Sequence, residues 1–177
     1  MRAMSGRYGL RHLFFHMIKD ENFIPEVIQR LTAFNGSKAR AGILDGGKMG
    51  MIAHVQEYGA TITPKNGDYL MIPMPDGSFR KLKSVTIPAR PYIAQAVTRH
   101  QAEWKNKAKD AFMEVISGSN GRASMQMIAN KMSQDIKETI SGGSFAANAP
   151  LTVAIKGSSK PLIDTGGLRA AVRGEVE

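Results

Sequence analysis

The sequence predicts an α+β fold: a small, mainly antiparallel sheet packed against a long helix and a helical hairpin, with a projecting β-hairpin loop. Three observations carry this. From Pro91 to Ile140 apolar residues recur at spacings of three and four, the period of helices buried on one side. From Gly59 to Arg90, Pro64, Asn66-Gly67, Pro73, Pro75, Asp76-Gly77 and Pro88 exclude a long helix and separate short β-type runs. The length of 177 residues suits one domain with a single core better than two.

Taken in order, residues 1–20 read as a basic, glycine-punctuated arm ahead of a single domain spanning 21–177. A helix is expected over about Asn22 to Phe34, with Asn22 as cap, Pro25 in the first turn and Ile24, Val27, Ile28, Leu31 and Phe34 as one stripe. Asn35-Gly36 stops it. Lys38 to Leu44 alternates basic with apolar residues as a strand would, Asp45-Gly46-Gly47 turns the chain, and Met51 to Tyr58 fits a short helix or a strand. The 60–90 segment reads as one or two projecting hairpins, with Asn66-Gly67 and Asp76-Gly77 as turns and runs at Ala60–Thr63, Tyr69–Ile72 and Leu82–Ile87.

Pro91 opens a helix to about Ser117, roughly 40 Å long at 1.5 Å per residue. Its expected face is Ile93, Ala96, Val97, His100, Trp104, Ala108, Phe112, Val115 and Ile116. Gly118-Ser119-Asn120-Gly121 breaks it. A second helix follows to about Ile140 on Met125, Ile128, Ala129, Met132, Ile136 and Ile140, completing a helical hairpin over 91–140. In the 141–177 tail, Ser141–Ser144 reads as flexible, Leu151–Ile155 as a strand, Lys156–Lys160 as a turn, and Asp164-Thr165 as the start of a short element.

Composition narrows the function classes. There are no cysteines, which removes disulfide frameworks, thiolate metal sites and cysteine nucleophiles and fits a reducing compartment. No apolar run approaches the roughly 20 residues that span a bilayer, so no membrane partner is expected. The stretch Leu13-Phe14-Phe15 lies between His12 and His16 without a small-residue cleavage site, which argues against a signal peptide. Lys and Arg number 24 against 15 Asp and Glu, a formal charge of +9. The excess is concentrated in Arg2, Arg7, Arg11 and Lys19 of the arm, and in Lys65, Arg80, Lys81, Lys83 and Arg90 of the hairpin region. Such clusters can meet phosphate, an acidic protein surface or solvent.

Catalytic signatures are weak. Gly42-Ile43-Leu44-Asp45-Gly46-Gly47-Lys48 fits the first seven positions of a phosphate-binding loop, but Met49 stands where a hydroxyl must hold magnesium. Gly50 also argues against a helix starting there, and a glycine turn after a strand explains the same residues. His12 and His16 share the spacing of a zinc pair, yet Leu13 replaces the glutamate such a protease needs, and only His54 and His100 could complete a site. His100 falls on the long helix's apolar face and reads as a packed core histidine. No glycine-flanked nucleophilic serine and no evident carboxylate pair appears. The eleven methionines read as core and interface filler. No enzyme activity, cofactor or metal is expected.

Two passages are more distinctive. Ile87-Pro88-Ala89-Arg90-Pro91-Tyr92-Ile93 leads straight into the long helix: its two prolines hold an extended approach, place Pro91 at the first helical position and pin Arg90 at the junction. Lys160-Pro161-Leu162-Ile163-Asp164-Thr165-Gly166-Gly167-Leu168 lets Asp164 or Thr165 cap a short terminal helix while Leu162 and Ile163 staple it to the core.

With His54-Val55-Gln56-Glu57-Tyr58-Gly59 ahead of them, these passages resemble, in order, motifs of the tail-completion and virion-morphogenesis proteins of tailed bacteriophages, the small neck or minor tail proteins. There an "EYG" segment, a variable loop, an "IPARPF" helix start and a "KPLIDTG" closing segment follow one another. The resemblance covers about residues 38–172. Val55-Gln56 separates His54 from Glu57, Tyr92 stands for the usual phenylalanine, and the 60–86 loop is long. The resemblance implies a non-enzymatic virion subunit that forms a ring at the head–tail junction, a hexamer or alternatively a dodecamer. Its partners would be adjacent neck, connector and tail proteins, with unspecific proximity to double-stranded DNA. The assembly residues expected are Pro88, Arg90, Pro91, Lys160, Pro161, Asp164 and Thr165 of the matching passages, together with Arg80, Lys81 and Lys83 of the basic hairpin. Arg90 would order the hairpin–helix junction or pair with a neighbouring acid. The rival reading is a basic nucleic-acid-binding module using the arm and the 80–83 cluster; a hydrolase whose groups converge only in three dimensions ranks last.

Overall fold

The computed structural model describes residues 22–177. The elements run α1 (Ile24–Phe34), β1 (Ala39–Gly42), α2 (Gly47–Tyr58), β2 (Ala60–Ile62), β3 (Leu70–Pro73), β4 (Phe79–Leu82), β5 (Val85–Ile87), α3 (Tyr92–Ile116), α4 (Gly121–Gly142), α5 (Pro150–Lys156), α6 (Gly167–Ala171) and β6 (Arg173–Val176). This is the expected α+β class, with the sheet divided into three antiparallel pairs: β1 with β6, β2 with β5, and β3 with β4. The basic arm, with His12 and His16, lies outside the described residues. Among the described residues no helix is long and apolar enough to cross a membrane.

The α3–α4 hairpin is the frame. Asn120 starts α4 by accepting at its side chain the N–H of Arg122 at 3.1 Å, a first-turn donor with no helical carbonyl, and that of Ala123 at 3.4 Å, which also reaches the Asn120 carbonyl at 3.1 Å. Ile128, Ala129, Ile136 and Ile140 bury the stripe expected of α4. On α3 the buried row is Tyr92, Ala96, Trp104, Ala111 and Val115, so the face is turned from the expected one. Ala108 and Val97 are exposed, and Phe112 borders a groove with α1 instead of entering the core. A three-and-four spacing tolerates several neighbouring phases on so long a helix, and packing against α4 selects one.

The other side of α4 carries the β1–β6 pair, in which Ala41 faces Gly174 and Arg40 faces Glu175. The exposed edges are tied by ion pairs of Arg40 with Glu175 and Glu177, and of Arg173 with Asp45. Strand β6 was not expected from the sequence. Below the frame, Ala53 of α2, Leu162, Leu168 of α6 and Val172 complete the apolar core with Tyr92, Trp104, Ile136 and Ile140. Helix α1 buries none of its residues fully and rests on α3, where Arg30 reaches the Ile116 carbonyl. Asn22 does accept the Ile24 N–H, at 3.1 Å, with Phe23 at the cap position.

Several local expectations are corrected. Met51–Tyr58 is helical, and α2 begins at Gly47 despite Gly50, because Gly47 takes a left-handed φ of 76° and lets the chain turn sharply into the helix. Leu151–Ile155 is the helix α5: Pro150 supplies a first turn that needs no N–H, and left-handed Gly157 closes it. Asn66-Gly67 is not a hairpin turn. It lies within residues 63–69, one leg of a single long hairpin whose other leg needs only residues 83–84 between β4 and β5. The tip is Asp76-Gly77, as expected, where Asp76 Oδ1 accepts the Ser78 N–H (2.9 Å) and hydroxyl (2.6 Å).

One charged network centres on a buried acid in the frame. The Asp135 side chain is fully buried, accepting the Trp104 indole N–H at 2.8 Å and the Lys131 ammonium at 2.6 Å. His100 Nδ1 stands 3.9 Å from Asp135 and 4.0 Å from Glu103, and the histidine ring lies nearly parallel to Trp104. His100 is therefore half-buried at the edge of a polar network, not packed into the apolar core. His100, Glu103 and Asp135 have ligand-type atoms within 4.8 Å of one another, but Lys131, 3.6 Å from Glu103 as well, already supplies the cation there.

Candidate assembly site

The three distinctive passages meet at the base of the long hairpin. Helix α2 ends on Gln56-Glu57-Tyr58, and Glu57 is buried with its carboxylate across the start of α3: Oε2 accepts the Ile93 N–H at 2.9 Å and Oε1 the Ala94 N–H at 3.0 Å. This cap comes from 36 positions upstream. An anion at a helix N-terminus satisfies orphan donors and opposes the helix dipole. Gly59, at φ 76°, brings the backbone against the β5 exit, where a Cβ would stand 2.9 Å from the Ile87 carbonyl oxygen and the Ala89 nitrogen. Only glycine permits that approach.

Arg90 is 5% exposed. Its backbone N–H donates to the Gln56 carbonyl at 2.7 Å. The guanidinium donates to Ala146 O (2.8 Å), Gln56 Oε1 (2.8 Å), Ala147 O (3.2 Å) and Asn148 Oδ1 (3.2 Å). It thus orders the hairpin–helix junction and ties it to the 146–148 segment. Every one of those acceptors is neutral. Burial pushes its pKa down.

Tyr92 is wholly buried behind this junction, and its hydroxyl has no hydrogen-bond partner among the described residues. Burial, with the Glu57 charge nearby, pushes the phenol up to about 12. Tyr92→Phe is expected to raise stability by about 1 kcal/mol, because it removes an unsatisfied polar atom while keeping the ring. A rise in Tm of about 2–4 °C on thermal unfolding would register this, and a fall would show that the hydroxyl has a partner.

The Lys160–Leu168 passage completes the site. The Lys160 carbonyl accepts Lys156 Nζ at 2.7 Å and Asn148 Nδ2 at 3.2 Å. The Ile163 N–H donates to the Pro161 carbonyl at 2.7 Å, closing a three-residue turn around Leu162, whose φ is 60°. Left-handed backbone at a branched residue costs about 1–3 kcal/mol and persists only where packing fixes it. Leu162 is held in the core. Asp164 and Thr165 do not cap α6. Gly166 stands at the cap position and no side chain bonds there. Both residues are exposed instead on the rim of a cavity of about 360 Å³ that Pro88, Arg90 and Leu162 also line. Pro91 is one residue before the first turn of α3.

The hairpin itself carries the other three expected residues. Arg80, Lys81 and Lys83 are exposed, and no carboxylate pairs with them among the described residues. Their surroundings are apolar as well as basic: Ile62, Tyr69, Met71 and Phe79 are all at least 44% exposed. Register sets Met71 opposite Lys81, and Pro73 opposite Phe79. Strands β3 and β4 pack chiefly on each other. The ten expected residues therefore divide in two, a basic stretch along the hairpin's returning leg and a junction at its base. Sequence reasoning took Gln56 and Glu57 only as part of a motif, without their roles at the junction, and missed Asn148 and Lys156 there.

The Gly46-Gly47 turn does precede a helix, but the Asp45 carboxylate beside it pairs with Arg173, which holds that carboxyl below its ordinary range. Neither Met49 nor this acid suits a nucleotide phosphate. Comparisons with protein-family models, curated proteins and solved structures find no match to this chain.

Proposed function

We propose that the protein is a non-enzymatic virion subunit of a tailed bacteriophage, forming a ring at the head–tail junction through which DNA passes. The observation that carries this reading is the long hairpin, whose exposed apolar and basic residues have no covering element among the described residues. An isolated two-stranded ribbon gains little from burial in a monomer. Exposed aromatic, methionine and arginine side chains are the composition of an interface centre. The resemblance of the three passages supports the same reading. A hexameric ring is favoured over a dodecamer, with neck, connector and tail proteins as neighbours.

The double variant Met71→Asp/Phe79→Asp tests it. Both sites are exposed, so stability should change by less than about 1 kcal/mol. In electron micrographs of assembled particles, the wild-type chain is expected as a ring of copies at the head–tail junction, and the variant should be absent. Particles without any copy of the wild-type chain would sink the reading.

Arg80, Lys81 and Lys83, which no carboxylate among the described residues pairs, favour a second reading, a nucleic-acid-binding module. It requires log K for duplex DNA to fall steeply with log salt, with the slope reduced by about 3 on neutralising these three side chains. The ring reading expects weak, unspecific binding instead, since a lumen that gripped phosphate tightly would hinder DNA ejection.

A further inference from the structure

We infer that the cavity at the hairpin base is a binding site for a carboxylate carried on an apolar group. This goes beyond the ring reading and does not depend on it. A buried guanidinium in a folded chain ordinarily meets an anion, because a lone charge removed from water is expensive. Arg90 is 5% exposed, yet its hydrogen-bond acceptors are two backbone carbonyls and two side-chain amides. Those four bonds leave one of the five guanidinium N–H donors uncommitted.

Arg90 lines the cavity together with Lys156, whose ammonium makes one bond among the described residues, to the Lys160 carbonyl. An ammonium has three donors. The remaining lining divides by chemistry. Ile52, Leu162 and Leu168 offer an apolar floor, and Gln56 and Asn148 are the amides already oriented by Arg90. Asp164 belongs to the lining too, but it is exposed and bonded to neither cation. At about 360 Å³ the space suits a small ligand or one inserted side chain. Charge selects an anion, and the floor selects an apolar stem, so the ligand chemistry is that of a glutamate side chain or a short-chain carboxylic acid. The phosphates of a duplex lie on a stiff cylinder and do not enter such a recess.

The full chain, labelled with nitrogen-15, can be titrated with hexanoate while the Arg90 Nε–H and the side-chain amides of Gln56 and Asn148 are followed by NMR. Hexanoate is expected to move all three saturably, in the low millimolar range that a ligand of this size reaches. Hexylamine, with the same stem and opposite charge, should leave them in place. Lys156→Gln should weaken hexanoate by roughly 5–10-fold without lowering Tm, since it removes one charge-assisted bond from a half-buried side chain. Arg90→Lys keeps the charge but loses the fork, and should weaken binding further if the junction still folds.

The capped dipeptide acetyl-leucyl-glutamic amide separates the sources of the carboxylate. Binding tighter than hexanoate assigns the site to a partner protein's glutamate, and weaker binding assigns it to a free acid. Absence of saturable shifts with hexanoate and dipeptide alike, or equal shifts with hexylamine, would overturn the inference and leave Arg90 a purely structural cation. None of these readouts requires ring assembly, so they stand whether or not copies are found in particles.

Discussion

Asp135→Ala is expected to destabilise the fold by about 2–4 kcal/mol, because it strands the buried Trp104 donor, opens a cavity and takes the nearer of two acids from the part-exposed Lys131. The Trp104 indole N–H loses its acceptor, the Lys131 ammonium keeps only Glu103 at 3.6 Å, and His100 loses the carboxylate 3.9 Å away. Asp135→Asn keeps an acceptor for Trp104 but removes the charge that Lys131 faces, so it should cost about half as much. Urea unfolding followed by Trp104 fluorescence measures both, as this is the chain's single tryptophan. A loss below about 1 kcal/mol in Asp135→Ala would show that the network is incidental.

The same residue predicts a pH dependence. Burial alone would raise the Asp135 carboxyl, but hydrogen bonds from Lys131 and Trp104, with the charges of His100 and Lys131, outweigh it and hold the group below its ordinary value. A carboxyl depressed in the folded state stabilises above its unfolded pKa of about 4, and that contribution disappears as pH falls through the lower folded value. Lys131 has the opposite sign. Its hydrogen bond to Asp135 raises it, so its contribution is present below about pH 10.4 and disappears as pH rises through the folded value. Asp135→Asn should therefore flatten both the acid and the alkaline limbs.

Such a network explains what was legible in the sequence. Helices α3 and α4 announce themselves by local periodicity, and Asp76-Gly77 by local turn chemistry. The partners of Asp135 do not, since Trp104 is 31 positions away and only helix packing brings it near. Glu57 is similar. It was noticed as part of a motif, but a cap that acts on Ile93 and Ala94 leaves no mark in the residues beside it. Helix α5 was hidden by composition: Leu151-Thr152-Val153-Ala154-Ile155 is rich in β-branched residues, and seven positions are too few for either period to show. Its true signals are Pro150 and Gly157 at the two ends. Strand β6 has one apolar residue in four, and it is a strand because β1 offers it partners. Asn66-Gly67 misled for the converse reason. The dipeptide permits left-handed backbone, and Gly67 uses it at φ 83°, but the strand pairing reverses at Asp76-Gly77 instead.

Strand β6 also supplies the second large expected effect. Gly174→Ala is expected to cost about 3 kcal/mol or more, although glycine to alanine adds a single methyl group. Gly174 lies flat on α4: a Cβ there would overlap the Ala129 carbonyl and stand 3.0 Å from the Asn130 nitrogen. Both are helix backbone in the middle of α4, so neither can turn aside as a side-chain tip would. The Gln126 side-chain amide donates to the Gly174 carbonyl at 3.1 Å, which fixes the strand from the same side. The relief available is for β6 to lift away, and Ala41 and Arg40 of β1 then lose their partners. Rapid hydrogen exchange across Ala39–Gly42 should accompany the lower urea midpoint. Gly142→Ala is the matched control, the same chemical change at the last residue of α4, where a Cβ meets nothing within 4 Å. There the better helix propensity should leave stability unchanged or raise it by a few tenths of a kcal/mol, up to about 1. If both variants unfold at the wild-type midpoint, β6 does not rest on α4 at Gly174, and the β1–β6 pair is held by its edge ion pairs instead.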